Sequence, residues 1–167
     1  MAALAALASS PRVRVAAVIP SGDGLVLVRH EKDGESYYLL PGGGVEPGET
    51  LAAALSREVT EETGLACELV APLFVNDSIA PDGARHMIQL TFLARPTGGA
   101  ITTSPADPRV ASVRTVGFSD LAALDLRPPM GEQLLEAAAT GYSGCARYLG
   151  SLWSDPSPAP LRREPRL

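Results

Sequence analysis

Cysteines and runs of basic residues are both scarce in this chain of 167 residues, and each scarcity closes off a class of function. Only Cys67 and Cys145 carry thiols, far apart and outside any CxxC or Cys/His cluster. Neither a disulfide framework nor a zinc site follows from that pattern, and both read as reduced thiols. A single lysine, Lys32, stands among fourteen basic residues, and the net charge is −5. The one basic run is the short tail Arg162-Arg163-Glu164-Pro165-Arg166, so no phosphate-tracking nucleic-acid surface is expected. Long apolar runs are missing too. No stretch approaches the roughly 18 consecutive apolar residues that span a bilayer. The opening MAALAALASSPR has no basic leader, so no membrane association and a cytoplasmic location are expected. What is present is globular composition, 46% hydrophobic and 20% charged, at a length that suits one domain with a real core.

Along the chain, residues 1–11 read as a flexible lead-in, 12–154 as the folded domain, and 155–167 (DPSPAPLRREPRL) as a Pro-rich disordered tail. RVRVAAVI, from Arg12 to Ile19, alternates and then turns continuously apolar, which predicts a strand entering the interior. Leu25–Arg29 predicts a second strand, and the turn cluster Pro20–Gly24 suggests that the two form a hairpin. A loop from His30 to Ser36 leads to a short strand at Tyr37–Leu40, and Pro41-Gly42-Gly43-Gly44 then breaks regular structure. A helix is predicted from an N-cap at Glu49 or Thr50 to Thr63, stopped by Gly64 in left-handed conformation. Further strands are expected at Cys67–Val75, Met87–Leu93 and Val110–Phe118, with a loop or ragged hairpin over Pro96–Asp107. A helical turn capped by Ser119 and a helix at Met130–Thr140 follow. Strands, an inserted helix, more strands and closing helices predict an α/β fold, an α/β/α sandwich around a mixed sheet.

The central stretch is GGVEPGETLAAALSREVTEETGL, Gly43–Leu65. With Leu51 at zero and about 100° per residue, Leu55 falls near 40° and Val59 near 80°, a buried stripe. On the same wheel Glu58 lies at about −20° and Glu62 at about +20°, while Glu61 lies at about −80°. A solvated acidic face would set the glutamates opposite the leucines. Instead Glu58 and Glu62 share the edge of the apolar stripe, one turn apart. Like charges so placed repel, weakly in water and by a few kcal/mol at an effective dielectric of about 20. Arg57, four residues before Glu61, supplies one positive charge against three acids. A bound divalent cation is the economical balance, and an all-oxygen ligand set points to Mg²⁺, with Mn²⁺ as substitute. No GxxxxGK[ST] accompanies the glycines, so the turn is expected to present a backbone carbonyl to the metal.

These residues resemble the box of the Nudix hydrolases, G-x5-E-x7-R-E-U-x-E-E-x-G-U with U bulky and aliphatic. Gly43, Glu49, Arg57, Glu58, Val59, Glu61, Glu62, Gly64 and Leu65 occupy every specified position. Tyr38-Leu39-Leu40-Pro41-Gly42-Gly43 is similar to the family's W-x-L-P-G-G lead-in, with Tyr38 in place of Trp. The resemblance implies a Nudix-type α/β/α sandwich and hydrolysis of a nucleoside diphosphate linked to another group. It implies Glu58 and Glu62 as principal Mg²⁺ ligands, joined by the Gly42 carbonyl. Glu61 becomes a further ligand or the group that deprotonates water, and Arg57 and Glu49 orient the carboxylates. Some relatives carry the base on a loop outside the box, which makes Asp82 and Asp107 candidates here. Many relatives also have a Glu before the strand matching Val113–Val116, where this chain has Arg109.

The substrate is expected to be a small nucleotide. Pro81, sixteen residues past Leu65, resembles a feature of ADP-ribose pyrophosphatases, although a Pro-Asp-Gly turn also explains it. ADP-ribose or a similar nucleoside diphosphate sugar therefore ranks first, a nucleoside triphosphate second, and a non-catalytic nucleotide sensor third. Arg29 at a strand end is a candidate for phosphate binding and Tyr38 for base stacking. A homodimer is left open.

Overall fold

The computed structural model describes residues 10–102 and 104–153. The expected lead-in at 1–11 falls outside these residues except for Ser10 and Pro11, and the expected tail at 155–167 falls outside them entirely.

In chain order the elements are β1 (Arg12–Val18), β2 (Pro20–Ser21), β3 (Gly24–Lys32), β4 (Glu35–Leu39), β5 (Gly42–Gly44), α1 (Leu51–Thr63), β6 (Leu65–Ile79), β7 (His86–Gly99), β8 (Val110–Gly117), a 3-10 turn (Leu121–Ala123), α2 (Gly131–Ala139) and β9 (Arg147–Ser151). One sheet has the order β5-β1-β7-β6-β9 and is mixed: β1 runs parallel to β7, and β5 runs antiparallel to β1. β3 organises the second sheet, pairing antiparallel with β2, β4 and β8.

The apolar run of β1 has a direct cause, burial on both faces. Val15, Ala17 and Ile19 pack with Ala54, Leu55 and Val59 of α1 and with Phe92 and Ala94 of β7. Ala16 and Val18 face the other way, into a cluster with Leu121, Met130, Leu134 and Ala137 from the α2 region. The helices thus cover opposite faces of the sheet, as the α/β/α expectation required. Full burial of Leu55 or Val59 contributes about 1.5–3 kcal/mol each.

Several local expectations need correction. β1 and β3 do not form a hairpin, because β3 turns back on the two-residue β2 and joins β4 and β8 in a different sheet from β1. The loop placed at 30–36 is strand on both sides of a tight turn, where Asp33 and Gly34 take positive φ. The glycines after Pro41 do not break regular structure but form β5, an edge strand. β7 continues through Pro96 to Gly99, so the expected loop begins only at Ala100. Ser119 does not cap the 3-10 turn, which begins after Asp120 without a side-chain cap. Among the described residues no helix is long and apolar enough to cross a membrane.

Candidate active site

α1 begins where Thr50 accepts a hydrogen bond from the Ala53 N–H, and ends at Gly64 with φ 76. Its buried face carries Ala54, Leu55, Glu58, Val59, Glu62 and Thr63. The wheel placed Glu58 and Glu62 correctly, at 8% and 1% exposure. Leu51 is a correction: it is 37% exposed, because the helix meets the sheet only from its second turn.

β5 sets the geometry opposite these acids. Hydrogen bonds from Ala17 N to Pro41 O and from Val45 N to Val13 O bracket its pairing with β1. In the antiparallel alternation Gly43 is then the position bonded to β1, while Gly42 and Gly44 turn their N–H and C=O groups off the open edge. The Gly42 N–H accordingly donates to Glu62 Oε2 at 2.8 Å, and Gly44 O accepts from Arg57 Nη2 at 3.1 Å. The Gly42 carbonyl shares that open edge, which suits the ligand role expected for it. The absence of a side chain keeps this approach open at two positions. A Cβ on Gly42 would meet Val15 O at 2.1 Å, and one on Gly43 would lie 2.2 Å from the Glu58 carboxylate.

Arg57 holds the frame. Its Nε and Nη2 reach the two oxygens of Glu49 at 2.9 Å each, and Nη1 donates to Glu58 Oε1 at 2.8 Å. Glu49 also accepts the Glu46 N–H, tying the Pro47-Gly48 turn to the helix. The Glu49 hydrogen bonds, then those to Glu58, hold the Arg57 guanidinium firmly protonated, and Arg57 in turn holds the Glu49 carboxyl below its usual range. Glu61 stands apart, about half exposed and 3.8 Å from Arg57 Nη1. Arg57 therefore orients Glu49 and Glu58 more than it neutralises Glu61.

Burial pushes the Glu62 carboxyl up to about 7; the Gly42 N–H and Arg14 oppose the shift, and Glu58 and Asp107 reinforce it. Acids in the last turns of a helix also face the negative end of its dipole. Part of that cost is offset by a distant segment: Thr102 N donates to Thr63 O, and Ala106 N donates to Glu61 O.

Among the described residues no three Asp, Glu, His or Cys side chains close into a cage in this conformation. The arrangement is an open one. Glu58 commits Oε1 to Arg57 and Glu62 commits Oε2 to Gly42, which leaves one oxygen on each without a donor among the described residues. Two hard, partly spent carboxylates and an edge carbonyl fit an ion that keeps several waters and takes phosphate oxygens, as Mg²⁺ does.

Other sequence candidates are placed as follows. Asp107 is bound through both carboxylate oxygens to Arg109, which lowers its pKa, and it lies near enough to raise that of Glu62. Asp82 accepts from the Ala84 N–H within its own turn. Arg29 and Tyr38 are cross-strand partners on β3 and β4; Tyr38 packs against the α2-side cluster, away from the α1 face, and Arg29 bonds Ser36 and Glu31. Among the described residues neither is hydrogen-bonded to Glu58 or Glu62. Sequence reasoning missed Arg14 of β1, a desolvated guanidinium that the charges of Glu62 and Glu58 favour. A charged residue inside an otherwise apolar strand was the available signal.

Comparison with known proteins agrees with this fold. A model of the NUDIX domain matches residues 10–137. The chain is 42% identical over 80 residues to an 8-oxo-dGDP phosphatase of Mus musculus, covering 48% of this chain and 23% of that protein. It is 34% identical over 92 residues to an ADP-ribose pyrophosphatase of Methanocaldococcus jannaschii, covering 54% of each. It therefore spans much less than the full length of either relative. Among solved structures, a NUDIX hydrolase from Nitrosomonas europaea superposes with a TM-score of 0.70 at 25% identity, covering 79% of this chain and 90% of that one.

Proposed function

The chain belongs to the Nudix family, and on that premise we propose that it is a Mg²⁺-dependent pyrophosphohydrolase of nucleoside diphosphate derivatives. The observation that carries the reading is the pairing of Glu58 and Glu62 on one buried edge of α1, opposite the open glycine edge of β5. A diphosphate is the substrate group that such an acid pair, bridged by a hard cation, is suited to hold.

Glu58, Glu62 and the Gly42 carbonyl would hold Mg²⁺, with Mn²⁺ as substitute. When bound, the metal neutralises diphosphate charge and lowers the pKa of coordinated water. The protein's own part is positional. Arg57 fixes Glu58 and, through Glu49, the turn above it. Glu61, exposed at the helix edge, takes the proton from water as its oxygen bonds to phosphorus and the P–O bond to the leaving phosphate breaks. Asp107, already paired to Arg109, is less suited to that task.

ADP-ribose or a similar nucleoside diphosphate sugar is the favoured substrate, supported by the likeness to an ADP-ribose pyrophosphatase. A second reading, cleavage of a free nucleoside di- or triphosphate, is favoured by the higher identity to an 8-oxo-dGDP phosphatase. A substrate panel with Mg²⁺, products read by mass, separates them. AMP and ribose phosphate from ADP-ribose supports the first; monophosphate from a nucleoside di- or triphosphate supports the second. Turnover of neither class would overturn the hydrolase reading in favour of a nucleotide sensor. A cytoplasmic location belongs to the same proposal.

A further inference from the structure

Three polar side chains stand in line on the face of the sheet away from α1. Arg14 of β1 is the register partner of Gln89 of β7, and Gln89 is in turn the partner of Asn76 of β6. Neighbours so paired project to the same side. That side is the α2 face: Gln89 Nε2 reaches Met130 Sδ at 3.8 Å, and the residues two places along, Ala16 and Phe74, belong to the α2-side cluster. Gln89 is 3% exposed and Asn76 0%.

Such a row is costly on an apolar face unless its hydrogen bonds are satisfied. Asn76 donates from Nδ2 to Asp77 O, yet its buried Oδ1 has no donor among the described residues. Gln89 spends Nε2 on Thr91 Oγ1 and on the weak acceptor Met130 Sδ. Among the described residues the Arg14 guanidinium makes one hydrogen bond, to Leu40 O at 3.2 Å. The row also points somewhere. Beyond Arg14 lies β5, whose glycines carry no side chains, and at its open edge stands Glu62. The line therefore runs from the acid pair, past a guanidinium, to two amides. Two strand spacings of ~4.8 Å place Asn76 roughly 10 Å beyond Arg14, comparable to the reach of a nucleoside from its phosphate.

Resting on the diphosphate hydrolysis proposed above, we infer that Arg14, Gln89 and Asn76 form the recognition track for the substrate's organic part, and that this part is a nucleobase donating an amino or ring N–H hydrogen to Asn76 Oδ1. Arg14 meets the phosphate nearest the nucleoside. Asn76 spends its donor on Asp77 O, so what it offers a base is the acceptor Oδ1, which an amino or ring N–H fills. Met130 lies against Gln89, and its flexible thioether is the group that would give way to a planar base and pack on it.

The test is calorimetric binding of AMP, GMP, CMP, UMP and ribose 5-phosphate to the full chain with Mg²⁺. At least one nucleotide should bind about tenfold or more tighter than ribose 5-phosphate. In Asn76→Leu that preference should collapse while ribose 5-phosphate binding holds, and Gln89→Leu should move the same way. Arg14→Met should weaken nucleotides and ribose 5-phosphate alike. The inference is overturned if wild-type protein binds ribose 5-phosphate as tightly as every nucleotide, or binds none of them. It is also overturned if folded Asn76→Leu and Gln89→Leu keep the preference; should Asn76→Leu fail to fold, Gln89→Leu decides alone. Binding needs no turnover, so an intact base preference without any product would count against the hydrolase reading and not against this track.

Discussion

The Glu58 carboxylate lies against the α-carbon of Gly43 so closely that a methyl group there would sit 2.2 Å from it. Gly43→Ala therefore aims at the site more than at the fold, since the group to be displaced is the end of a side chain. Turnover is expected to fall by about 100-fold or more, the scale on which misplaced catalytic groups cost rate. Melting temperature should stay near wild type, as a thermal melt beside the assay will show.

Arg57→Lys keeps the charge and removes the fork that grips both oxygens of Glu49 while holding Glu58. A lysine cannot satisfy that geometry. We expect a drop in kcat of about 10–100-fold, the cost of losing residues that orient ligands, together with a higher Mg²⁺ requirement in a metal titration.

Glu61 and Asp107 can be separated by amide substitution. Glu61→Gln should lower kcat by about 100-fold or more, within the usual range for a general base. Asp107→Asn should cost less than about tenfold by the same measure, because its carboxylate already serves Arg109. Equal losses would transfer the base role to the loop.

Glu62 makes the metal-free protein sensitive to pH. Its carboxyl titrates near 4.5 when exposed and about 7 in the fold, chiefly through burial. A pKa raised by folding gives stability that is complete below the unfolded value and is lost as pH rises through the folded one. In chelator, wild type should lose about 3 kcal/mol relative to Glu62→Gln between pH 4.5 and 7.5, as read by urea melts at each pH.

The acid pair was legible in the sequence because it sits on one helix, where a fixed angular step converts spacing into direction. Glu58 and Glu62 fell where the wheel put them; Leu51 did not, since the wheel cannot say where a helix first touches its sheet. Strand pairing was less accessible. Nothing local in Arg12–Arg29 tells that β1 and β3 join different sheets. β9 escaped because Gly150, at φ 74, interrupts a short and mostly exposed strand. The Arg14–Gln89–Asn76 row is invisible without register, its members lying on strands brought together from distant parts of the chain.

The last turn of α1 is closed by amides from Thr102 and Ala106, and Gly64 lies 2.7 Å, by its would-be Cβ, from Ala100 O. A helix end normally frays, and fraying here would loosen Glu61 and Glu62. Stitched to a segment more than thirty residues away, the turn can open only by a larger, sub-global event. Hydrogen exchange at the Ala106 amide thus becomes a local clock for the acid pair: it should slow when Mg²⁺ and nucleotide bind, and quicken in any variant that unseats Glu62.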